Sequence, residues 1–201
     1  MTKLTSRTVT ELLAAFRSPD PTPGGGSASA LAGAVGAALL AMVAGLPKSR
    51  AASDEEAGRL KGAGEQCAAA SAELEALVDR DSEAYDLVVA AYKRPKATDE
   101  EKAARSAAIQ AAMREAIAAP LEVMRACSAA AGQGAVIAAL GNPSASSDVQ
   151  VAFELLGAGL RGAKQNVEIN LGSVKDAEYV AGIRDEVEAL ASGFSRSQRV
   201  V

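Results

Sequence analysis

Alanine constrains this chain more than any other feature: 47 of its 201 residues are alanine and only 3% are aromatic. Alanine is the best helix former, but it carries little side chain with which to fill a core. Such a chain folds as helices that approach one another closely through small residues. The expectation is an all-α fold, a single-domain bundle of long antiparallel helices over residues 1–201,. Its core is placed at about residues 8–192, with a frayed tail at 193–201,. Helices this poor in large side chains bury further surface by dimerising.

The chain contains no histidine. That removes His-containing metal sites, Ser-His and Cys-His nucleophiles, and the usual general base near neutral pH. Acid–base chemistry must then use Asp, Glu, Lys, Tyr or Cys, and no metal site is read. A net charge of −4 argues against a nucleic-acid partner,. Cys67 and Cys127 lie in helical segments without CxxC spacing and read as buried thiols of a reducing cytoplasm,. No charged segment precedes an early apolar stretch, so no secretory signal is read and a cytoplasmic location is expected.

Punctuation divides the chain into six helices. A short amphipathic helix over Thr8 to Arg17 stops at Pro19, Pro21 and Pro23,. Gly24-Gly25-Gly26-Ser27 opens an uncharged helix that Pro47 ends. An uncharged run of this length can span a bilayer. Its small residues recur at Gly25, Ser29, Gly33, Ala37, Ala41 and Gly45, a stripe that equally suits a buried helix of a soluble protein,. The latter is the reading adopted, with no membrane partner. Capping boxes at Ser53–Glu56 and Thr98–Glu101 open two long helices, to Tyr92 and to Leu140,. The first has a possible break at Gly62-Ala63-Gly64, and Pro120 is expected to kink the second. The fifth helix begins within Ser144–Asp148 and ends at Leu171; the sixth restarts at Ser173–Asp176 and runs to about Ala191.

Four polar segments are candidates for chemistry. Gly24, Gly25 and Gly26 expose backbone N–H groups at a helix start, which suits a carboxylate or phosphate as well as a tight turn. Asp81 shares a helix face with Leu74, Leu77 and Tyr85. An Asp there either is paired, with Lys96 or Arg94, or has a raised pKa and can move protons. Asn142 and Asp148 flank a turn, where capping accounts for part of the pattern. Asn166 and Asn170 stand at i and i+4 on an apolar face and need polar partners from a neighbouring helix or a ligand.

In order along the chain these segments resemble the cyclodeaminase/cyclohydrolase family. The matching stretches run from Ser18–Ser27 through Asp79-x-Asp81-x-x-Ala-Tyr85, Tyr92–Lys96 and Ala119-Pro120-Leu121 to Gly141-Asn142…Ser147-Asp148 and Asn166–Leu171. Two stretches depart from the family pattern. Gly45–Arg50 is shorter and less basic than the Lys-rich segment often found there, and Ser144 replaces a common asparagine.

The resemblance implies a homodimeric enzyme that handles a tetrahydrofolate derivative as substrate, with no metal or redox cofactor. The implied reaction is formimino-tetrahydrofolate cyclodeamination, which closes 5,10-methenyl-tetrahydrofolate and releases ammonia. The alternative is 5,10-methenyl-tetrahydrofolate cyclohydrolase, and a further alternative is a non-catalytic helical dimer without folate binding. Carried onto this sequence, Asp81 is the acid/base and Lys96 its partner. Gly24, Gly25, Gly26 and Ser27 would hold an anionic or carbonyl part of the folate, and Asn142, Asp148, Asn166 and Asn170 would bind the pterin or orient the carboxylate.

Overall fold

The computed structural model describes residues 3–199, which form six α-helices and two 3-10 turns. The helices are α1 (Val9–Phe16), α2 (Gly25–Ala44), α3 (Asp54–Tyr92), α4 (Asp99–Leu140), α5 (Ser146–Leu171) and α6 (Ala177–Gln198). No strand occurs among the described residues. The starts of α1, α3, α4 and α6 follow local capping chemistry. Thr8 with Glu11 and Thr98 with Glu101 form reciprocal capping boxes,. At α3 the Ser53 side chain accepts the Glu56 N–H, but the Glu56 carboxylate reaches past it to the Ala52 N–H at 2.7 Å.

Helix α2 is the centre of the bundle, packed against α3, α4 and α5. Ala30, Ala37 and Leu40 are fully buried on it. Glycine sets how closely its neighbours approach. A Cβ at Gly36 would lie 2.8 Å from the Ala152 carbonyl oxygen and 3.0 Å from the Leu156 nitrogen of α5. A Cβ at Gly159 of α5 would lie 2.8 Å from the Ser29 carbonyl oxygen. The two helices therefore touch backbone to backbone, where any side chain would hold them apart. Within the small-residue stripe, Ser29, Gly33 and Ala37 are buried, whereas Gly25 and Gly45 face outward.

Both α2 and α4 are long and apolar enough to cross a membrane; α4 is a second such segment that the sequence reading overlooked. Ala30, Ala34, Ala37, Leu40 and Val43 of α2 belong to the core, while Val35 and Met42 are exposed, so burial accounts for part of its hydropathy,.

Helices α3 and α4 have 39 and 42 residues, about 58 and 63 Å of helix at 1.5 Å per residue,. They pack along each other. No break occurs at Gly62-Ala63-Gly64; Gly64 instead gives room for the close approach of Ala44, whose methyl would lie 2.7 Å from a Cβ there. Pro120 lies inside α4, which continues through it. Proline offers no N–H to the carbonyl four residues earlier. That carbonyl, of Ala116, instead accepts a hydrogen bond from Asn170 Nδ2 of α5 at 2.8 Å.

Both ends are better anchored than the sequence suggested. The Leu4 N–H and Thr5 hydroxyl donate to the Asp79 carboxylate at 2.5 and 2.8 Å, and Leu4 is buried. The expected frayed tail is helical to Gln198. Val187 and Phe194 are buried on it, and the Phe194 ring lies 6.3 Å from that of Phe153. A short i, i+4, i+7 pattern there holds the helix down. Residues 200 and 201 lie outside the described residues.

Candidate active site

The first turn of α2 meets α3 and α5 around one carboxylate. Gly24, the N-cap of α2, has no side chain with which to cap it. Asp81 reaches across from α3 and does so. Its Oδ2 accepts the Ser27 N–H at 2.8 Å and the Ser27 hydroxyl at 3.1 Å. Ser27 is fully buried, and its Oγ lies 3.3 Å from Ser82 Oγ. The approach is possible only because residue 26 is glycine, since a Cβ there would overlap the Asp81 carboxylate. The anion at this helix start is therefore the chain's own. The Gly24–Gly26 segment is shaped around Asp81, with Gly26 leaving the room its carboxylate needs.

Two opposed effects act on Asp81. Burial disfavours its charged form and raises its pKa above the ordinary carboxylate value, while both bonds from Ser27 pull the other way,. Burial is the larger effect. Among the described residues no Lys or Arg nitrogen lies within 4.0 Å of it, so no ion pair offsets that cost. Oδ1 has no hydrogen-bond donor among the described residues. The result is a carboxyl group with one oxygen pinned and the other free to take or give a proton.

Asn166 lies on the α5 side of this turn. Its Nδ2 donates to the Gly162 carbonyl at 2.9 Å and sits 3.6 Å from where a Gly25 Cβ would be. Ser29 Oγ donates to the Gly25 carbonyl at 2.7 Å and occupies the space a Gly162 side chain would need. Next to the turn, a cavity of about 390 Å³ is lined by Lys3, Arg7, Asp20, Thr22, Ser82 and Asp86 among others; Asp81 itself does not line it. That volume falls in the range of small-molecule sites.

The remaining sequence candidates are elsewhere. Lys96 and Arg94 do not contact Asp81; Lys96 follows the end of α3 and lines a different cavity. Tyr85, expected to face the core, is 40% exposed, unlike Leu74 and Leu77. Asn170 is accounted for by the Ala116 carbonyl that Pro120 leaves unpaired. Asn142 caps a 3-10 turn through the Ser144 N–H at 2.8 Å and donates to the Pro47 carbonyl at 2.8 Å. It thus joins the far end of α2, with Asp148 in the first turn of α5. Asp148 and Asn166 are 18 residues apart on one helix, about 27 Å at 1.5 Å per residue,. One copy of the chain does not bring them together. Thr22 and Ser82, not singled out from the sequence, line the neighbouring cavity; Ser82 follows Asp81 directly, the one cue to its place beside Ser27.

Cys67 and Cys127 are free and buried, with burial pushing both thiols up to about 12, so neither is a nucleophile here,. No cluster that could hold a metal ion occurs among the described residues.

Residues 8–189 match the formiminotransferase-cyclodeaminase family model. Methenyltetrahydrofolate cyclohydrolase of Methylorubrum extorquens is 38% identical over 185 residues, covering 92% of this chain and 89% of that protein. Formimidoyltransferase-cyclodeaminase of Sus scrofa is 36% identical over 84% of this chain, which spans only 31% of that protein's length. A crystal structure of formiminotetrahydrofolate cyclodeaminase from Thermotoga maritima superposes with a TM-score of 0.87 at 26% identity, covering 98% of this chain and 95% of the other.

Proposed function

Because the chain belongs to the formiminotransferase-cyclodeaminase family, we propose that it acts on the one-carbon bridge between N5 and N10 of a tetrahydrofolate derivative, as a 5,10-methenyl-tetrahydrofolate cyclohydrolase. The end-to-end match with the Methylorubrum extorquens enzyme supports this choice over the deaminase that the motifs alone favoured. The observation that carries the mechanism is Asp81, a half-buried carboxyl with Ser27 on one oxygen and no cation.

In this reading a water oxygen forms a bond to the cationic methenyl carbon while Asp81 takes one of its protons. The carbon becomes tetrahedral, with a hydroxyl between two nitrogens. The C–N5 bond then breaks, its electron pair stays on N5, and Asp81 returns the proton there. The hydroxyl proton leaves to solvent, giving 10-formyl-tetrahydrofolate. A carboxyl with a raised pKa suits both halves, since it accepts and donates near working pH. Ser27 keeps Asp81 oriented, and Gly26 gives it room.

The structural likeness to the Thermotoga maritima protein favours a second reading, cyclodeamination. There the formimino group enters protonated (N5–CH=NH2+) and N10 attacks its carbon; Asp81 carries the N10 proton to the departing nitrogen, the C–N bond to that nitrogen breaks, and ammonia leaves the methenyl cation. One optical assay separates the two. The hydrolase bleaches the methenyl band of added methenyl-tetrahydrofolate above the buffer rate. The deaminase creates that band from formimino-tetrahydrofolate with one ammonia per turnover. If neither occurs, the enzymatic reading fails. The homodimer implied by the resemblance belongs to the same proposal, and sedimentation equilibrium at micromolar protein tests it.

A further inference from the structure

At the C-terminal end of α3, a cavity of about 500 Å³ opens between the α3–α4 connection, the first turns of α4 and the α5–α6 linker. Four of its nine lining residues are cations, Lys96, Lys102, Arg105 and Lys175, and none is acidic. This concentration does not follow from composition, because the whole chain carries a net charge of −4. Among the described residues, only Lys102 of the four has a carboxylate within 4.0 Å, that of Asp99, itself exposed on the first turn of α4. Like charges gathered without counter-ions repel one another, and a protein gains nothing in stability from them unless something else neutralises them.

Two of the four cations, Arg105 and Lys175, are held in place by hydrogen bonds. Arg105 Nε donates to the Tyr92 carbonyl at 3.1 Å, and its guanidinium lies 5.4 Å from the centre of the Tyr92 ring. That fixes the plane of the guanidinium and leaves its terminal N–H groups available. Gln110 clamps the linker from both sides: its Nε2 donates to the Ser173 carbonyl at 3.0 Å, and its Oε1 accepts the Lys175 N–H at 2.8 Å. Lys175 Nζ then donates to Ser106 Oγ at 3.2 Å, which turns the ammonium toward α4. Three separate elements thus aim positive charge into one space.

We propose that this cavity is a binding site for a multiply charged anion bearing carboxylate or phosphate groups. A single small anion would leave most of the space and most of the charge unused. Tyr92 lies 11 residues past Asp81, close to three helical turns and about 16 Å along α3, so the site is separate from the Asp81 turn,. The proposal does not depend on the folate reading.

Isothermal titration of the whole protein at low ionic strength, with pyrophosphate and with citrate as probes, tests it. Saturable one-to-one binding of at least one probe is expected, and the tighter of the two identifies the phosphate or the carboxylate class. Lys175→Ala and Arg105→Ala should each weaken that binding about tenfold, the factor for one charge-assisted hydrogen bond. Lys61→Ala removes an exposed cation elsewhere on α3 that is paired with Glu65, and should leave binding unchanged. Helical circular dichroism of each variant checks folding, and Lys175→Ala changes only a linker side chain. The proposal is overturned if neither probe saturates, if both site variants bind as wild type does, or if Lys61→Ala weakens binding as much as they do.

Discussion

Gly26→Ala places a methyl where the Asp81 carboxylate now lies. The added Cβ would sit 2.7 Å from Oδ2 and closer still to Oδ1, where ordinary contact begins at 3.4 Å. Asp81 must retreat by roughly 1 Å, and the 2.8 Å bond from the Ser27 N–H then lengthens past hydrogen-bonding distance,. Losing a hydrogen bond to a charged acceptor costs about 1.5–3 kcal/mol. Alanine at a helical glycine returns up to about 1 kcal/mol of propensity. The net is a destabilisation of about 1–2 kcal/mol, or a Tm lower by roughly 2–8 °C for a chain of this size. Gly62→Ala is the matched control, since nothing lies within 4 Å of its Cβ. It should gain about 1 kcal/mol. Differential scanning calorimetry of both proteins, with turnover measured alongside, gives the comparison. Displacing a catalytic group by 1 Å can cost about 10²-fold in rate, so Gly26→Ala should also be nearly inactive. If Gly26→Ala melts as high as Gly62→Ala and turns over normally, the close fit around Asp81 is wrong.

Four further outcomes follow from the same geometry. Asn170→Ala leaves the Ala116 carbonyl without a donor and should destabilise by about 1–3 kcal/mol in urea unfolding; a Pro120→Ala background, which restores a backbone donor, should shrink that loss,. Gly36→Ala forces α2 from α5 and should cost about 1–3 kcal/mol in the same assay, with no gain from propensity visible,. Asp81 has a raised pKa, so its charged form burdens the fold at neutral pH and the burden disappears as pH falls through the raised value toward 3.8,. Asp81→Asn should therefore be at least as stable as wild type at pH 7, with the difference narrowing on acidification, as thermal melts between pH 7 and 4 would record. A folate substrate analogue at 100 times its Kd should add about 2.7 kcal/mol of stability, and no shift at any concentration would favour a non-catalytic dimer.

How much of this could be read in advance depended on the distance over which each cue acts. The start of α4 is set locally, so Thr98 with Glu101 announced it correctly. Asp81 on an apolar stripe was visible as an anomaly, but its partner Ser27 lies 54 residues away and only packing brings them together. The same holds for Asn170 and Ala116: the odd amide and the proline were each conspicuous, and their connection needed α4 and α5 in contact. Lys96 was paired with Asp81 although α3 was correctly ended at Tyr92, because chain order does not say which way the connection after a helix turns. Asn142 and Asp148 were grouped with the others by chain order, which is blind to a helix about 27 Å long between them and Asn166,. At the C-terminus, Phe194 docks on Phe153 across two helices, and a pattern of three apolar residues was too brief to signal it.

The claim that Asp81 moves the proton stands or falls on Asp81→Asn. Asparagine is nearly isosteric and can still accept the Ser27 N–H, so the fold should persist while proton transfer cannot. With methenyl-tetrahydrofolate and formimino-tetrahydrofolate as substrates, the variant should show wild-type helical circular dichroism and no turnover above the buffer rate in either assay. Turnover within a few-fold of wild type would mean that another group carries the proton and that Asp81 serves only to cap α2.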